Sequence, residues 1–100
     1  MGRRRGHQGR VDANQQSIIQ ALTRLGVSVC SLAATGDGVP DLLLGYVAKS
    51  GPKATVAEVK TEKGQLTPDQ TKWRCWWIGP FVVFRSVEDA CTWYQRERNK

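Results

Sequence analysis

Histidine, cysteine and long apolar runs are scarce in this sequence. The single histidine, His7, lies far from the three cysteines, Cys30, Cys75 and Cys91, and no two cysteines have Cys-x-x-Cys spacing. Neither a zinc site nor a disulfide framework is therefore expected, and the cysteines are predicted to be buried free thiols in a reducing compartment. No apolar run approaches the roughly 20 residues that a membrane span needs, and the arginine-rich start lacks the apolar core of a signal peptide. These absences predict an intracellular protein without a membrane partner.

The chain is short and basic. Its 100 residues contain no internal repeat and no long linker, so residues 11–100 are expected to form a single domain around one core. Fifteen lysines and arginines against nine acidic residues give a net charge of +6 and a pI near 9.7. Such a charge attracts polyanions, and nucleic acid is the partner that it favours.

Residues 1–10 differ in composition from the rest of the chain, with four arginines, three glycines and almost nothing apolar. This segment is predicted to be a flexible basic arm that is disordered when free. Two interpretations remain open: an arm whose nonspecific phosphate contacts weaken with salt, or a solvated tail without a role. His7 belongs to the segment and is assigned no catalytic role. The candidate phosphate contacts are Arg3, Arg4, Arg5 and Arg10.

Two carboxylates and a lysine are predicted to converge on one hairpin. A proline favours extended backbone before Asp41, so a strand is expected to begin there. After a Gly-Pro turn over 49–53, residues 55–60 are predicted to form a second strand, antiparallel to the first. Alternation along that strand puts Glu58 and Lys60 on one face, and the hairpin brings Asp41 towards them.

A carboxylate pair of this kind suits a hard divalent cation such as magnesium, which takes oxygen ligands and keeps several waters. A neighbouring lysine adds a compact positive charge that can hold an attacking water or stabilise the charge on phosphorus. The pattern therefore predicts a phosphodiesterase site at Asp41, Glu58 and Lys60. The alternative is a cross-strand ion pair of Glu58 and Lys60 on a solvated sheet face.

The first helix is predicted over residues 12–25. Asp12 is its expected N-cap, Gln15 completes a capping box, and Gly26 ends the helix. Its apolar stripe comprises Ile18, Ile19, Leu22 and Leu25.

A second helix is predicted to begin after Thr67, with Pro68 at its first position and Gln70 closing another capping box. Gln70, Trp73 and Trp77 share one stripe, so Gln70 is expected to face the sheet beside Lys60 rather than serve only in the cap.

The remaining elements complete an alternating pattern. Strands are predicted over 27–32 and 81–84, and Ser86 is expected to cap a last helix from Val87 to about Glu97. The order α-β-β-β-α-β-α predicts an α/β fold with one mixed sheet and flanking helices.

The hairpin residues resemble the signature of the PD-(D/E)XK nuclease superfamily, with Pro40-Asp41 followed by Glu58-Val59-Lys60. Over roughly residues 11–95 the chain resembles small, phage-type, stand-alone members of the VRR-NUC (virus-type replication-repair nuclease) family. The resemblance implies a restriction-endonuclease-like core, which agrees with the predicted order of elements. The residues that carry it are Gly36, Gly38, Pro40-Asp41-Leu42-Leu43, Glu58-Val59-Lys60, Leu66-Thr67-Pro68-Asp69-Gln70 and Trp73.

The resemblance implies a metal-dependent nuclease site. Asp41 and Glu58 would hold Mg²⁺ or Mn²⁺, with the main-chain carbonyl of Val59 as a third ligand. Lys60 would be the catalytic lysine, and Gln70 would assist it.

The first helix departs from the family pattern. Many relatives carry a glutamate there, whereas this helix begins Asp-Ala-Asn-Gln-Gln. That role is either unfilled or falls to Asp12, Asn14 or Gln15. The first helical turn is expected either to face the metal or DNA, or to hold only cap and surface groups.

Further DNA contacts are expected from the first helical turn and from basic residues around the second helix: Asn14, Gln15, Lys63, Lys72 and Arg74. The tryptophans of the second helix are predicted to form core or a dimer interface rather than a base-stacking platform: Trp73, Trp76 and Trp77.

The leading hypothesis is a magnesium- or manganese-dependent DNA endonuclease that cuts Holliday junctions or flaps, in a bacterial or phage-infected cell. A domain of this size has little surface for a branched duplex, so a homodimer with two sites is expected. The alternative is a noncatalytic DNA-binding module that keeps the fold, which the missing helix glutamate favours. An RNA-directed nuclease is a third interpretation, because phosphate and metal chemistry does not distinguish the sugars unless the 2′-hydroxyl is contacted.

Overall fold

The computed structural model describes the backbone of residues 2–100 and the side chains of residues 13–100. Over that range the elements follow one another in the predicted order, and the α/β fold class is confirmed. The elements are α1 (Gly2–Arg24), β1 (Ser28–Ser31), β2 (Leu42–Ala48), β3 (Gly51–Val59), α2 (Pro68–Trp76), β4 (Phe81–Phe84) and α3 (Val87–Arg98).

The four strands form one mixed sheet in the order β1-β2-β3-β4. The first three strands pair antiparallel, as predicted for the central hairpin, while β3 and β4 pair parallel. Ala48 pairs with Gly51, so the turn holds two residues and is shorter than the predicted 49–53 turn. Gly51 adopts φ +121°, which is open to glycine and lets β3 begin directly after the reversal.

Helices α1 and α3 cover one face of the sheet and enclose the core. Trp93 of α3 meets Tyr46 and Phe84 edge to face, with ring centroids 5.0 and 5.4 Å apart, in the geometry that aromatic quadrupoles favour. The buried cluster comprises Ile18, Leu22, Val27, Leu42, Leu44, Ala57, Val59, Phe84, Ala90 and Trp93.

Helix α1 begins at Gly2 rather than near Asp12. The predicted N-cap at Asp12 is therefore wrong, because that residue lies inside the helix; arginine and glutamine are good helix formers, and the helical backbone continues through them. The helix ends at Arg24, before Gly26 at φ +96°, close to the predicted end.

The flexible basic arm over residues 1–10 stays a prediction, and the side chains of its four arginines lie outside the described residues.

Helix α2 is held at the edge of the domain and buries none of its residues. Its start is as predicted, with Thr67 as N-cap, Pro68 in the first turn and Gln70 completing a capping box. Of the two alternatives predicted for its tryptophans, the core is wrong, since α2 buries none of them and Trp76 is 70% exposed, and a dimer interface stays a prediction. The three indoles pack mainly on one another, with Trp73 and Trp77 stacked at 5.1 Å.

The cysteines are free, as predicted, but they are not buried. Cys30 and Cys75 are exposed and Cys91 is half-buried. The prediction of burial fails because Cys30 lies on the edge strand β1 and Cys75 on the projecting helix α2.

Helix α3 begins after its N-cap Ser86, as predicted, and the Ser86 side chain accepts a hydrogen bond from the Asp89 backbone N–H. Within the part of the chain that the structure describes, no helix combines the length and the apolar character needed to cross a membrane.

Candidate active site

The hairpin register places Asp41 beside Glu58. Leu42, the first residue of β2, pairs with Ala57 of β3. Asp41, one residue before Leu42, therefore lies opposite Glu58, one residue after Ala57. The Asp41 side chain folds back onto β3, where its Oδ2 accepts a hydrogen bond from the Val59 backbone N–H at 2.8 Å. The convergence of Asp41 and Glu58 predicted from the sequence is thus present in the structure.

Glu58 is the most buried charged side chain at this site, with 2% of its surface exposed. The Gln70 side-chain amide donates to Glu58 Oε2 at 3.0 Å, and Lys60 Nζ lies 3.9 Å from the same oxygen. A solvated ion pair on an open sheet face does not describe this carboxylate, because burial removes the solvent that such a pair requires.

Gln70 serves the helix cap and the site together. Its Oε1 accepts from the Thr67 backbone N–H at 2.9 Å while its amide nitrogen donates to Glu58. The capping box therefore fixes the orientation of the amide, and the predicted position of Gln70 beside Lys60 and Glu58 is found.

Burial and the neighbouring Asp41 carboxylate together raise the pKa of Glu58 to about 8. Desolvation is the larger cause, repulsion from Asp41 and a hydrogen bond shared with it add to the shift, and the charge of Lys60 opposes it. Glu58 consequently keeps its proton at neutral pH while no cation is bound. Carboxylate oxygens in such a position fit a hard divalent cation, whose positive charge would replace that of the proton.

Helix α1 contributes Asn14 to the site. The Asn14 amide donates to the Lys60 backbone carbonyl at 3.3 Å, which ties the helix to the end of β3. Gln15, the other predicted contact in this turn, is buried and does not line the cavity. Of the candidates for the missing helix glutamate, Asn14 is the one that reaches the site, while the side chain of Asp12 lies outside the described residues.

These groups surround a cavity of about 280 Å³ at the end of the hairpin. Its lining comprises Asn14, Asp41, Glu58, Val59, Lys60, Thr61, Gly64 and Gln70. No cluster of three or more histidine, cysteine, aspartate or glutamate side chains was found among the described residues. A cation at Asp41 and Glu58 would therefore need backbone, amide or water oxygens to complete its coordination.

Arg85 supports one wall of this cavity, a role that the sequence analysis did not predict. Its Nη1 donates to the backbone carbonyls of Thr61 at 2.8 Å and Gly64 at 2.6 Å, with a longer contact to Glu62 at 3.3 Å. The loop that follows Lys60 is thereby tied to the end of β4. These partners lie more than 20 residues away in the chain, so no local pattern could have identified them.

Gly38 joins the turn before β2 to the start of α2. It adopts φ +80°, and a Cβ at this position would collide with the Asp69 carbonyl oxygen. The turn therefore approaches protein backbone closely, and Gly38 supports the helix that carries Gln70. Asp37, in the same turn, does not line the site cavity.

The predicted DNA contacts Lys63, Lys72 and Arg74 are exposed. Lys72 lines a second cavity on α2, and the Arg74 guanidinium lies 4.6 Å above the Phe81 ring. Their binding of DNA stays a prediction.

Comparisons with protein-family models, with curated proteins and with solved structures found no match to this chain.

Proposed function

We propose that this chain is a metal-dependent nuclease that hydrolyses phosphodiester bonds in DNA, of the VRR-NUC type. The observation that carries the proposal is the pairing of the buried Glu58 with the half-buried Asp41, with Lys60 beside them, at a cavity. A carboxylate in a cleft whose pKa is raised by burial and by a neighbouring charge is a candidate functional group. The net charge of +6 supports a polyanionic substrate.

Asp41 and Glu58 are the side chains that would hold Mg²⁺ or Mn²⁺, with the Val59 carbonyl as a further ligand. When bound, the ion supplies a Lewis acid for the phosphate and lowers the pKa of a water. Mg²⁺ and Mn²⁺ suit this donor set because both accept hard oxygen ligands and retain waters.

The remaining side chains position these groups. Gln70 orients the Glu58 carboxylate through its amide, and Asn14 holds the end of β3 through the Lys60 carbonyl. The Lys60 ammonium places a positive charge next to the cavity, where it orients an attacking water or stabilises charge that develops on the phosphate. Arg85 holds the loop that forms the cavity wall.

Branched or flapped DNA is the proposed substrate and a homodimer the proposed assembly. The sheet face opposite α1 and α3 leaves Leu43 and Val47 exposed. Exposed apolar side chains on one sheet face are typical of surfaces that bind another protein. A second copy on this face would supply the second site that symmetric cutting of a junction requires.

Cleavage of labelled four-way, flap and linear DNA with Mg²⁺ or Mn²⁺ tests the proposal. Asp41→Asn and Lys60→Ala should abolish cutting, as should a chelator, whereas Lys53→Ala removes an exposed lysine of β3 that does not line the cavity and should retain it. Salt-sensitive DNA binding without cutting by any form would contradict a nuclease.

That outcome would favour the second candidate, a noncatalytic DNA-binding module. The observation that favours it is that the described side chain by which α1 reaches the site is the uncharged amide of Asn14, whereas many members of the resembling family carry a glutamate on the first helix. Isothermal titration with Mn²⁺ separates the two: a nuclease binds the ion in a manner abolished by Asp41→Asn, and a binding module has no need of it.

A further inference from the structure

A second cavity lies on α2, outside the candidate active site. It measures about 310 Å³ and is lined by Asp37, Asp69, Lys72, Trp73 and Trp76. The Trp76 indole lies beside the Trp73 and Trp77 rings, with centroids 5.8 and 6.3 Å apart, and 70% of the residue's surface is still exposed. Large exposed aromatic surface beside a basic side chain is a common feature of surfaces that bind nucleic acid.

The second cavity is close to the candidate active site because one helix serves both. Gln70, in the first turn of α2, contacts Glu58. Trp73 and Trp76 follow three and six residues later, which places them about 5 and 9 Å further along the helix axis. That distance is spanned by two or three nucleotides at a rise of about 3.4 Å each.

We propose that this cavity binds an unpaired nucleobase of the DNA strand that is cut at Asp41 and Glu58, stacked on Trp76. The inference rests on the proposed nuclease function and adds a substrate feature to it. Aromatic rings stack with every base, and the positive charge of Lys72, one of the lining residues, attracts the strand. The carboxylates of Asp37 and Asp69 repel phosphate and accept hydrogen bonds from the N–H groups of a base, so the base enters and the phosphate stays outside. The protein therefore prefers DNA with unpaired nucleotides, such as a flap, over continuous duplex.

Binding measured in a chelator tests this inference without cleavage. Fluorescence anisotropy would follow a labelled single strand of about 12 nucleotides, within the usual range of single-strand sites, and a blunt duplex. Trp76→Ala should weaken binding of the single strand about tenfold or more and leave the duplex unchanged. Trp76→Phe keeps a ring and should restore most of the affinity. Ile78→Ala is the matched control, since Ile78 is 99% exposed but does not line the cavity.

The other outcomes are equally informative. Equal single-strand affinity of wild type and Trp76→Ala would overturn the base-binding cavity, and the nuclease proposal would still stand if that protein cuts DNA with metal. A change from dimer to monomer in Trp76→Ala, with single-strand affinity retained, would show that a second copy covers this face and would also overturn it. A wild type that binds no single strand and cuts no DNA would contradict both proposals together.

Discussion

Glu58 is the residue at which burial and charge oppose each other most strongly in the described part of the chain. Its carboxylate is enclosed by β3, Asp41 and Gln70, and its pKa is raised to about 8 because burial disfavours the charged form. If Glu58 were only structural, a neutral residue could replace it with little loss of stability. If Glu58 is a metal ligand, its burial is explained, because the cation compensates the buried negative charge.

The raised pKa of Glu58 predicts that the metal-free protein loses stability with rising pH. The folded state holds the proton up to about pH 8 and the unfolded chain only to about pH 4.5, so the stabilisation present at low pH disappears as pH rises between those values. The free energy of unfolding should fall by roughly 2–4 kcal/mol over this window. Glu58→Gln should remove most of that slope.

Urea unfolding in a chelator between pH 5 and pH 9 measures this effect. Asp89→Asn is a suitable control, because this carboxylate is exposed and caps the backbone N–H of Arg85 outside the cavity. Identical pH slopes for wild type and Glu58→Gln would contradict the assignment of the proton to Glu58.

Individual elements are joined at the site by contacts that are distant in sequence. The loop over 61–64 depends on Arg85 at the end of β4, and the first turn of α2 depends on Gly38 in the turn before β2. Since α2 buries no residue of its own, the Gly38 approach and the Gln70–Glu58 hydrogen bond are contacts that hold it in place.

Arg85→Met should loosen the 61–64 loop while leaving the fold intact. The substitution keeps the apolar stem but removes the hydrogen bonds to the Thr61 and Gly64 carbonyls, each worth about 1.5–3 kcal/mol for a charged donor. Hydrogen exchange of the loop amides should accelerate, and cleavage should decline about tenfold. Arg96→Ala removes an exposed arginine of α3 and should change neither property; unchanged loop exchange in Arg85→Met would show that Arg85 does not hold the loop.

Gly38→Ala and Gly36→Ala form a matched pair. Both glycines adopt positive φ, +80° and +75°, so both substitutions incur backbone strain of about 1 kcal/mol. A Cβ at Gly38 also collides with the Asp69 backbone, whereas a Cβ at Gly36 meets nothing within 4 Å. Thermal unfolding should therefore show a loss at Gly38 that exceeds the loss at Gly36 by about 1–3 kcal/mol. Equal losses of stability in the two variants would mean that the close contact between the turn and α2 contributes nothing to the free energy of unfolding.

At the scale of the whole molecule, two exposed faces stand out among the side chains of residues 13–100. One is the sheet face around Leu43 and Val47, and the other is the tryptophan face of α2. The partners proposed for the two faces differ: a second copy for the sheet face, which is lined mainly by apolar residues, and nucleic acid for the face of α2, where Lys72 lies beside the rings.

Val47→Asp should convert the proposed homodimer into a monomer. Val47 is 71% exposed in a single chain, so the charge is tolerated there but is costly once a second copy removes the solvent. Size-exclusion chromatography with light scattering measures the mass of both forms. Val87→Asp introduces the same charge at an exposed residue in the first turn of α3, where acidic side chains are favourable, and should not alter the mass. A monomeric wild type, free and on DNA, would exclude the dimer.

Much of the fold was predictable because its signals are local. Cap residues marked the starts of α2 and α3, alternation marked the central hairpin, and glycines or prolines marked the breaks. The start of α1 was not predictable from Asp12, because a good cap residue can equally lie inside a longer helix. The burial of the cysteines and tryptophans was also mispredicted, since a side chain's type does not reveal whether its element lies at the edge of the domain.

The sequence by itself determined the order of the elements and the proximity of Asp41, Glu58 and Lys60, because strand alternation and a hairpin suffice to bring them together. Only the tertiary structure decided that Glu58 is buried, that Asn14 rather than Gln15 reaches the site, and that Arg85 holds its loop. These properties depend on packing between elements far apart in the chain. Desolvation, which sets the pKa of Glu58, arises only when that packing excludes water.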